Sequence, residues 1–160
     1  MKWLFLFPLI LWGCLNLNDC RQEDCFTPPP DIYFELVDSA SGENLFQNGT
    51  LPESPIVITN ENNATMGSTL FKDGGAWTIR STELGWKFGS HTYTLSVGDT
   101  LAVNFTLEME TIETKCCTFV NIKDFKTDNY SFSGFPDAGY IRVLIPVSGS
   151  RKKSSDNKSI

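Results

Sequence analysis

Histidine is nearly missing from this sequence: His91 is the only one in 160 residues. A general-base or metal chemistry built on imidazole therefore has one position to work with. No Gly-x-Ser-x-Gly elbow frames a nucleophile beside it, so a Ser-His-acid triad has no supporting sequence context. No glycine-rich phosphate loop is present either. Basic residues are few, 13 Lys and Arg against 19 Asp and Glu, for a formal net charge of -6. That balance argues against nucleic acid as a partner, because phosphate binding needs clustered Lys and Arg. The one basic cluster, Arg151-Lys152-Lys153, lies in a Ser/Lys/Asn stretch and reads as solvated. No segment shows a helical period with caps. The longest apolar run, Trp3 to Trp12, is too short to span a bilayer as a helix.

What the chain does have is period-two patterning. Ile32, Phe34 and Leu36 alternate with Tyr33, Glu35 and Val37, and Pro55 to Thr59 is a short β-branched run. Leu101, Val103, Phe105 and Leu107 alternate with Ala102, Asn104, Thr106 and Glu108, the pattern of a half-buried strand. Gly98-Asp99 joins His91–Val97 to Thr100–Glu108 as a two-residue hairpin, and Asp73-Gly74-Gly75 joins Leu70–Lys72 to Ala76–Ser81. Further strands are expected at Cys116 to Ile122, Tyr130 to Phe132 and Tyr140 to Val147. The expectation is an all-β chain: a single antiparallel β-sandwich, immunoglobulin-like or related, of about eight or nine short strands. It would occupy residues 31–147, with 148–160 a disordered polar tail.

Met1-Lys2 followed by an apolar stretch is a secretory leader in outline. Its end, Leu11-Trp12-Gly13-Cys14, resembles the lipobox of bacterial lipoproteins, with Trp12 standing where a small residue is usual. That resemblance implies a signal peptide over 1–13, acylation of Cys14, and a membrane anchor through the N-terminal lipid. Ordinary secretory cleavage and an uncleaved anchor are the competing readings. Residues 14–30 would then be a tether, ending in the extended spacer Pro28-Pro29-Pro30.

Without Cys14, four cysteines remain: Cys20, Cys25, Cys116 and Cys117. Outside the cytoplasm an even set suggests two disulfides, with three connectivities open. Neighbours on a strand point to opposite faces, so Cys116 and Cys117 are expected to reach different partners, favouring bonds to Cys20 and Cys25. A zinc site is the alternative, but adjacent cysteines and one distant His make poor ligand geometry. No metal or cofactor is expected.

The segments Cys25 to Pro30, Phe34-Glu35-Leu36-Val37-Asp38 and Ser41-Gly42-Glu43-Asn44-Leu45-Phe46 resemble small uncharacterised lipoproteins of Bacteroidetes (flavobacterial) cell envelopes. Those proteins are similar to this chain also in a late Cys-Cys pair and an apolar last strand, here Tyr140 to Ile145. The resemblance implies a β-sandwich in the cell envelope, by expectation at the outer membrane, with the facing left open. It implies no biochemical activity. Asp38-Ser39-Ala40 and Asp99-Thr100-Leu101 resemble the O-glycosylation acceptors of that phylum. Asn-x-Ser/Thr triplets at Asn48, Asn63, Asn104, Asn129 and Asn157 would instead suit a eukaryotic secreted glycoprotein.

The inventory points away from an enzyme. Glu108 with Glu110, and Asp38 with Glu43, are paired carboxylates, which strand ends and turns explain. Acidic loops at Asp38 to Glu43 and at Asp73 match no EF-hand spacing for calcium. Binding is the better class. The first expectation is a non-enzymatic envelope module with a protein partner or accessory role. The alternative is a glycan-binding lipoprotein that stacks Trp77, Trp86 and Tyr93 on sugar rings, against the plainer reading that these rings fill the core.

Overall fold

The computed structural model describes residues 26–114, 117–135 and 138–147. The expectations for Cys14, Cys20, Cys25 and Cys116, for the leader 1–13 and for the tail 148–160 lie outside these residues. The chain is all-β and forms two sheets. In order the strands are β1 Phe26–Thr27, β2 Ile32–Asp38, β3 Ile56–Asn60, β4 Thr65–Met66, β5 Thr69–Asp73, β6 Ala76–Ser81, β7 Gly89–Val97, β8 Leu101–Glu113, β9 Thr118–Thr127, β10 Ser131–Phe135 and β11 Tyr140–Ile145. A 3-10 turn spans Leu84–Trp86. No helix among the described residues is long and apolar enough to cross a membrane.

One sheet runs β1-β9-β8-β7-β3-β4 and the other β10-β11-β2-β6-β5. The alternating sequences become strands with one face inward. Val103, Phe105, Leu107 and Met109 of β8 are buried, while Ala102 and Asn104 on either side of Val103 are exposed. On β7 the inward residues are Tyr93, Leu95 and Val97. The Gly74-Gly75 turn between β5 and β6 has φ of +56° and +92°, the left-handed pair that a two-residue hairpin needs. The β7–β8 connection is one residue longer than expected. Val97 sits opposite Leu101, and Thr100 N–H donates to the Val97 carbonyl at 3.2 Å.

Two pairings depart from the antiparallel expectation: β1 lies parallel to β9, and β11 lies parallel to β2. The second has a simple cause. Strand β11 forms a hairpin with β10 and enters between it and β2, running in the same direction as β2. The domain also extends N-terminal to residue 31. Phe26–Thr27 is paired to β9, and the Pro29 ring lies so close to Gly85 that a Cβ there would meet it at 2.7 Å. The proline run is therefore packed against the 3-10 turn.

The sheets meet over a cluster of rings. Phe34 of β2 lies 5.0 Å from Phe105 and 6.3 Å from Phe125, while Phe105 lies 5.4 Å from Tyr93 and 5.6 Å from Phe125. Such offset and tilted pairs add about 0.5–1.5 kcal/mol each beyond area burial. The long connection after β2 adds Leu45, Phe46 and Leu51 to the core. Its start doubles back along β2: Leu45 N–H donates to the Leu36 carbonyl and Asp38 N–H to the Glu43 carbonyl, both at 2.9 Å.

Gly139, φ +77°, stands at the start of β11, where an added Cβ would lie 2.2 Å from the Asp31 carbonyl oxygen. Gly42 has a similar φ of +74° with nothing within 4 Å. Gly42→Ala is expected to cost about 1 kcal/mol, the left-handed penalty alone. Gly139→Ala adds a backbone clash, for a loss of about 3 kcal/mol in urea unfolding. Equal losses at the two sites would contradict the close approach of Gly139 to residue 31.

Candidate functional site

The aromatic residues singled out in the sequence occupy three different settings. Tyr93 is 1% exposed, and its ring stacks on Phe105 at the centre of the core. It cannot meet a surface sugar, so its place in a stacking platform is corrected: the period-two pattern of β7 turns residue 93 inward with Leu95 and Val97. Trp77 is half-buried against the core, with the Lys72 ammonium 4.7 Å from its ring centroid. Lys72 is its direct cross-strand neighbour on β5, and the cation–π contact covers the ring. Trp86 lies in the 3-10 turn and is 54% exposed, with Phe88 two residues on at 51%. Of the three, Trp86 is the most exposed.

Other sequence candidates have structural partners. His91 faces the Glu61 carboxylate at 3.3 Å through Nδ1 and the Phe88 carbonyl at 2.9 Å through Nε2. It ties the 61–64 turn to the start of β7. Asp38 accepts hydrogen bonds from Ala40 N–H at 3.1 Å and Ser41 Oγ at 2.9 Å. The backbone bond from Ala40 leads in holding its carboxyl below the usual range. It caps a turn and does not converge with Glu43 on one point. Glu108 pairs with Lys123 at 2.6 Å beside an irregularity in the β8–β9 ladder. Among the described residues no three His, Cys, Asp or Glu side chains gather closely enough to hold a metal ion. Cys117 is half-buried and has no disulfide partner among the described residues.

The arrangement that sequence reading missed centres on Glu35. It lies on the outer face of β2, yet is only 6% exposed. Arg142 sits directly opposite on β11, and its guanidinium donates Nε and Nη2 to Glu35 Oε2, each at 2.8 Å. The Tyr140 hydroxyl donates to the same oxygen at 2.5 Å. Asn44 approaches Oε1 at 3.5 Å through Nδ2, which also donates to the Trp77 carbonyl at 2.8 Å. The Asn44 Oδ1 accepts from the Phe46 and Gln47 N–H groups, both at 3.2 Å. Asn44 thus fastens the returning loop to β2 and to β6 at once. Burial alone would push the Glu35 carboxyl up; the bonds from Tyr140, Arg142 and Asn44 and the Arg142 charge outweigh it and hold the carboxyl below its usual range.

Against this cluster opens a cleft of about 380 Å³, lined by Glu35, Gly42, Glu43, Asn44, Gln47, Asn48 and Ala76. Its side chains are carboxylates and amides. No family model, no curated protein and no solved structure matches the chain. The site is therefore read from its chemistry alone. An ionised carboxylate offers acceptors only, and an amide offers both donor and acceptor. Such a lining suits hydroxyl groups or a small cation. Glu35, kept ionised by Arg142 and Tyr140, is a weak base, far from the near-neutral pKa that proton transfer favours.

Two outcomes follow. Tyr93 Oη is buried without a hydrogen-bond partner among the described residues, and burial, then the Glu61 charge, pushes the phenol up to about 12. Tyr93→Phe keeps the ring and removes the unpaired hydroxyl, so stability should hold or rise by about 1 kcal/mol. A loss beyond that in chemical denaturation would mean the hydroxyl is bonded. For Glu35, a depressed folded pKa means its contribution is complete above the unfolded value near 4.3 and is lost as pH falls through the folded value. Glu35→Gln should lower stability by about 2 kcal/mol at neutral pH, and the gap to the parent should narrow below about pH 4. A pH-independent gap would contradict the ionised, ion-paired carboxylate.

Proposed function

We propose that this chain is an exported, non-enzymatic binding module, held at a cell-envelope membrane through a lipid on Cys14. The reading is supported by the lipobox-like Leu11-Trp12-Gly13-Cys14 and, at the domain, by the cleft beneath the 39–55 connection. The cleft carries the functional half of the proposal. Glu35 and Asn44 are fixed by their bonds to β11, β6 and the returning loop, so this floor of the cleft is set before a partner arrives. Preorganisation of this kind lowers the ordering cost of binding. The first-ranked occupant is a protein partner of the envelope, bound through polar contacts, with the module acting as an accessory subunit.

A second reading, a glycan ligand, is favoured by one observation: Glu43, Asn44, Gln47 and Asn48 line one open cleft with Glu35. Carboxylate and amide groups are the side chains that hydrogen-bond sugar hydroxyls. This reading moves the glycan site away from Trp77 and Tyr93, since Trp77 is covered by Lys72 and Tyr93 is in the core.

The expected native form is acylated at Cys14 and begins there, which intact mass of the protein from its own membranes would show. A lipid-free species starting elsewhere would remove the anchor. Affinity capture from solubilised membranes should recover a specific partner, and Glu43→Arg with Asn48→Arg should reduce recovery at least about tenfold, roughly 1.4 kcal/mol. Capture unchanged by both substitutions would move the site off the cleft. Calorimetric binding of an envelope polysaccharide, lost in the same variant, would make the glycan reading the primary one.

A further inference from the structure

An edge strand carries unpaired N–H and C=O groups on alternate residues, a template for one more strand. The edges of this sandwich are guarded unequally. Strands β1 and β4 are two residues each. Strand β5 carries Lys72 and Asp73. Beyond the two residues that β1 covers, β9 carries Lys123, Asp124 and Lys126. Its register on β8 also slips there, leaving Lys123 without an opposite residue. Short length, charge and bulges are the usual devices that blunt an edge.

Strand β10 has none of them. It ends its sheet beyond β11, and Ser131-Phe132-Ser133-Gly134-Phe135 is of ordinary strand length with no charge and no proline. Residues 131–134 are exposed, and among the described residues only β11 hydrogen-bonds to the β10 backbone. Phe132, opposite the buried Val143, turns toward the other sheet and meets Phe125 edge-on at 5.0 Å. It is still 38% exposed, at the place where a next strand would continue the core.

The strand itself selects an occupant. A second copy that adds its β10 antiparallel, about a two-fold axis through the sheet, brings both inner faces to the same side. Directly opposed residues must then belong to the same face, which restricts the register to every second position. With Ser133 at the axis all of β10 is paired: Ser131 opposes Phe135, Phe132 opposes Gly134, and Ser133 opposes itself. Gly134 is held to glycine by β11, since an added Cβ would lie 2.7 Å from the Tyr140 carbonyl oxygen. Its missing side chain leaves room for the second copy's Phe132 ring, the aromatic-over-glycine pairing that suits an edge. The match occurs twice by symmetry. Charge agrees: copies of net charge -6 repel, and this seam brings together two strands that carry none.

We propose that the chain forms a two-fold dimer through β10, joining two five-stranded sheets into one continuous sheet. So short a seam is smaller than a standard interface, which places the dimer in the weak, reversible class. The axis crosses the sheet, so the clefts beside Glu35 in the two copies lie on the same face. A ligand with repeated groups would meet two sites at once. The dimer depends neither on the anchor nor on which ligand the cleft takes.

Sedimentation equilibrium of the purified full chain should show monomer and dimer in exchange, with a Kd of about 1–100 μM. Ser133→Lys and Ser133→Glu each set like charges face to face at the axis, and each should weaken the dimer at least about fivefold. Ser133 is exposed, so circular dichroism should show the strand content of both variants unchanged. Mixed in equal amounts, the two variants place Lys against Glu and should associate at least as tightly as the parent. A general loss of folding cannot produce that rescue. A parent that stays monomeric at about 100 μM overturns the proposal. So does a dimer of the same strength in both variants, or a mixture of the folded variants that associates no better than either alone.

Discussion

Strand β2 has to satisfy two faces at once, and most of the structure is arranged around that demand. It is the middle strand of its sheet, between β11 and β6. Inward, Ile32, Phe34 and Leu36 are essentially unexposed and meet the opposite sheet. Outward, Glu35 and Val37 are also buried, although a sandwich normally leaves that face to water. A buried carboxylate without partners is costly, because its desolvation is not offset. The fold meets the requirement with Arg142 in register, Tyr140 beside it, and Asn44 brought back by the chain itself.

The same demand accounts for the 39–55 connection. Strand β2 pairs with β6 only from Ile32 to Phe34. Beyond that point its backbone needs other partners, since unpaired buried peptide groups are rare. Residues 43–45 supply them, bonding to Asp38 and Leu36, while Leu45, Phe46 and Leu51 continue into the core. The connection is thus part of the fold. Its polar side chains, Glu43, Gln47 and Asn48, are left facing outward around the cleft. One packing problem produces both the covered strand and the open site.

How much of this was legible follows from the range of each signal. Alternation within one strand is local, so β7 and β8 stood out, and all nine expected strand segments overlap a strand. Strands β1 and β4 are two residues each and carry no period of their own. The length of the Gly98 connection depended on one residue of register, which composition does not set. Glu35 looked like the polar face of an alternating strand. Its burial depends on Tyr140 and Arg142, more than a hundred residues away, and on a parallel pairing that no local pattern announces. Tyr93 was ambiguous for the opposite reason: an amphipathic ring suits core and surface equally, and strand phase decides.

These ranges also separate the cleft from the proposed anchor as kinds of signal. An anchor is written in consecutive residues, because the machinery that processes a leader reads an extended chain. A binding cleft in a sandwich is written in residues that are distant in sequence and close only after the sheets pair. Here Glu35, Asn44 and Arg142 form one connected group across β2, its returning loop and β11. Shifting β11 by one residue along β2 would exchange Arg142 for Ile141 or Val143 opposite Glu35, leaving the carboxylate buried without its cation. The ion pair therefore penalises wrong registers of β11 as much as it stabilises the right one. This gives a physical reason for a charged residue at the centre of a sheet, and the cleft is defined by the same register.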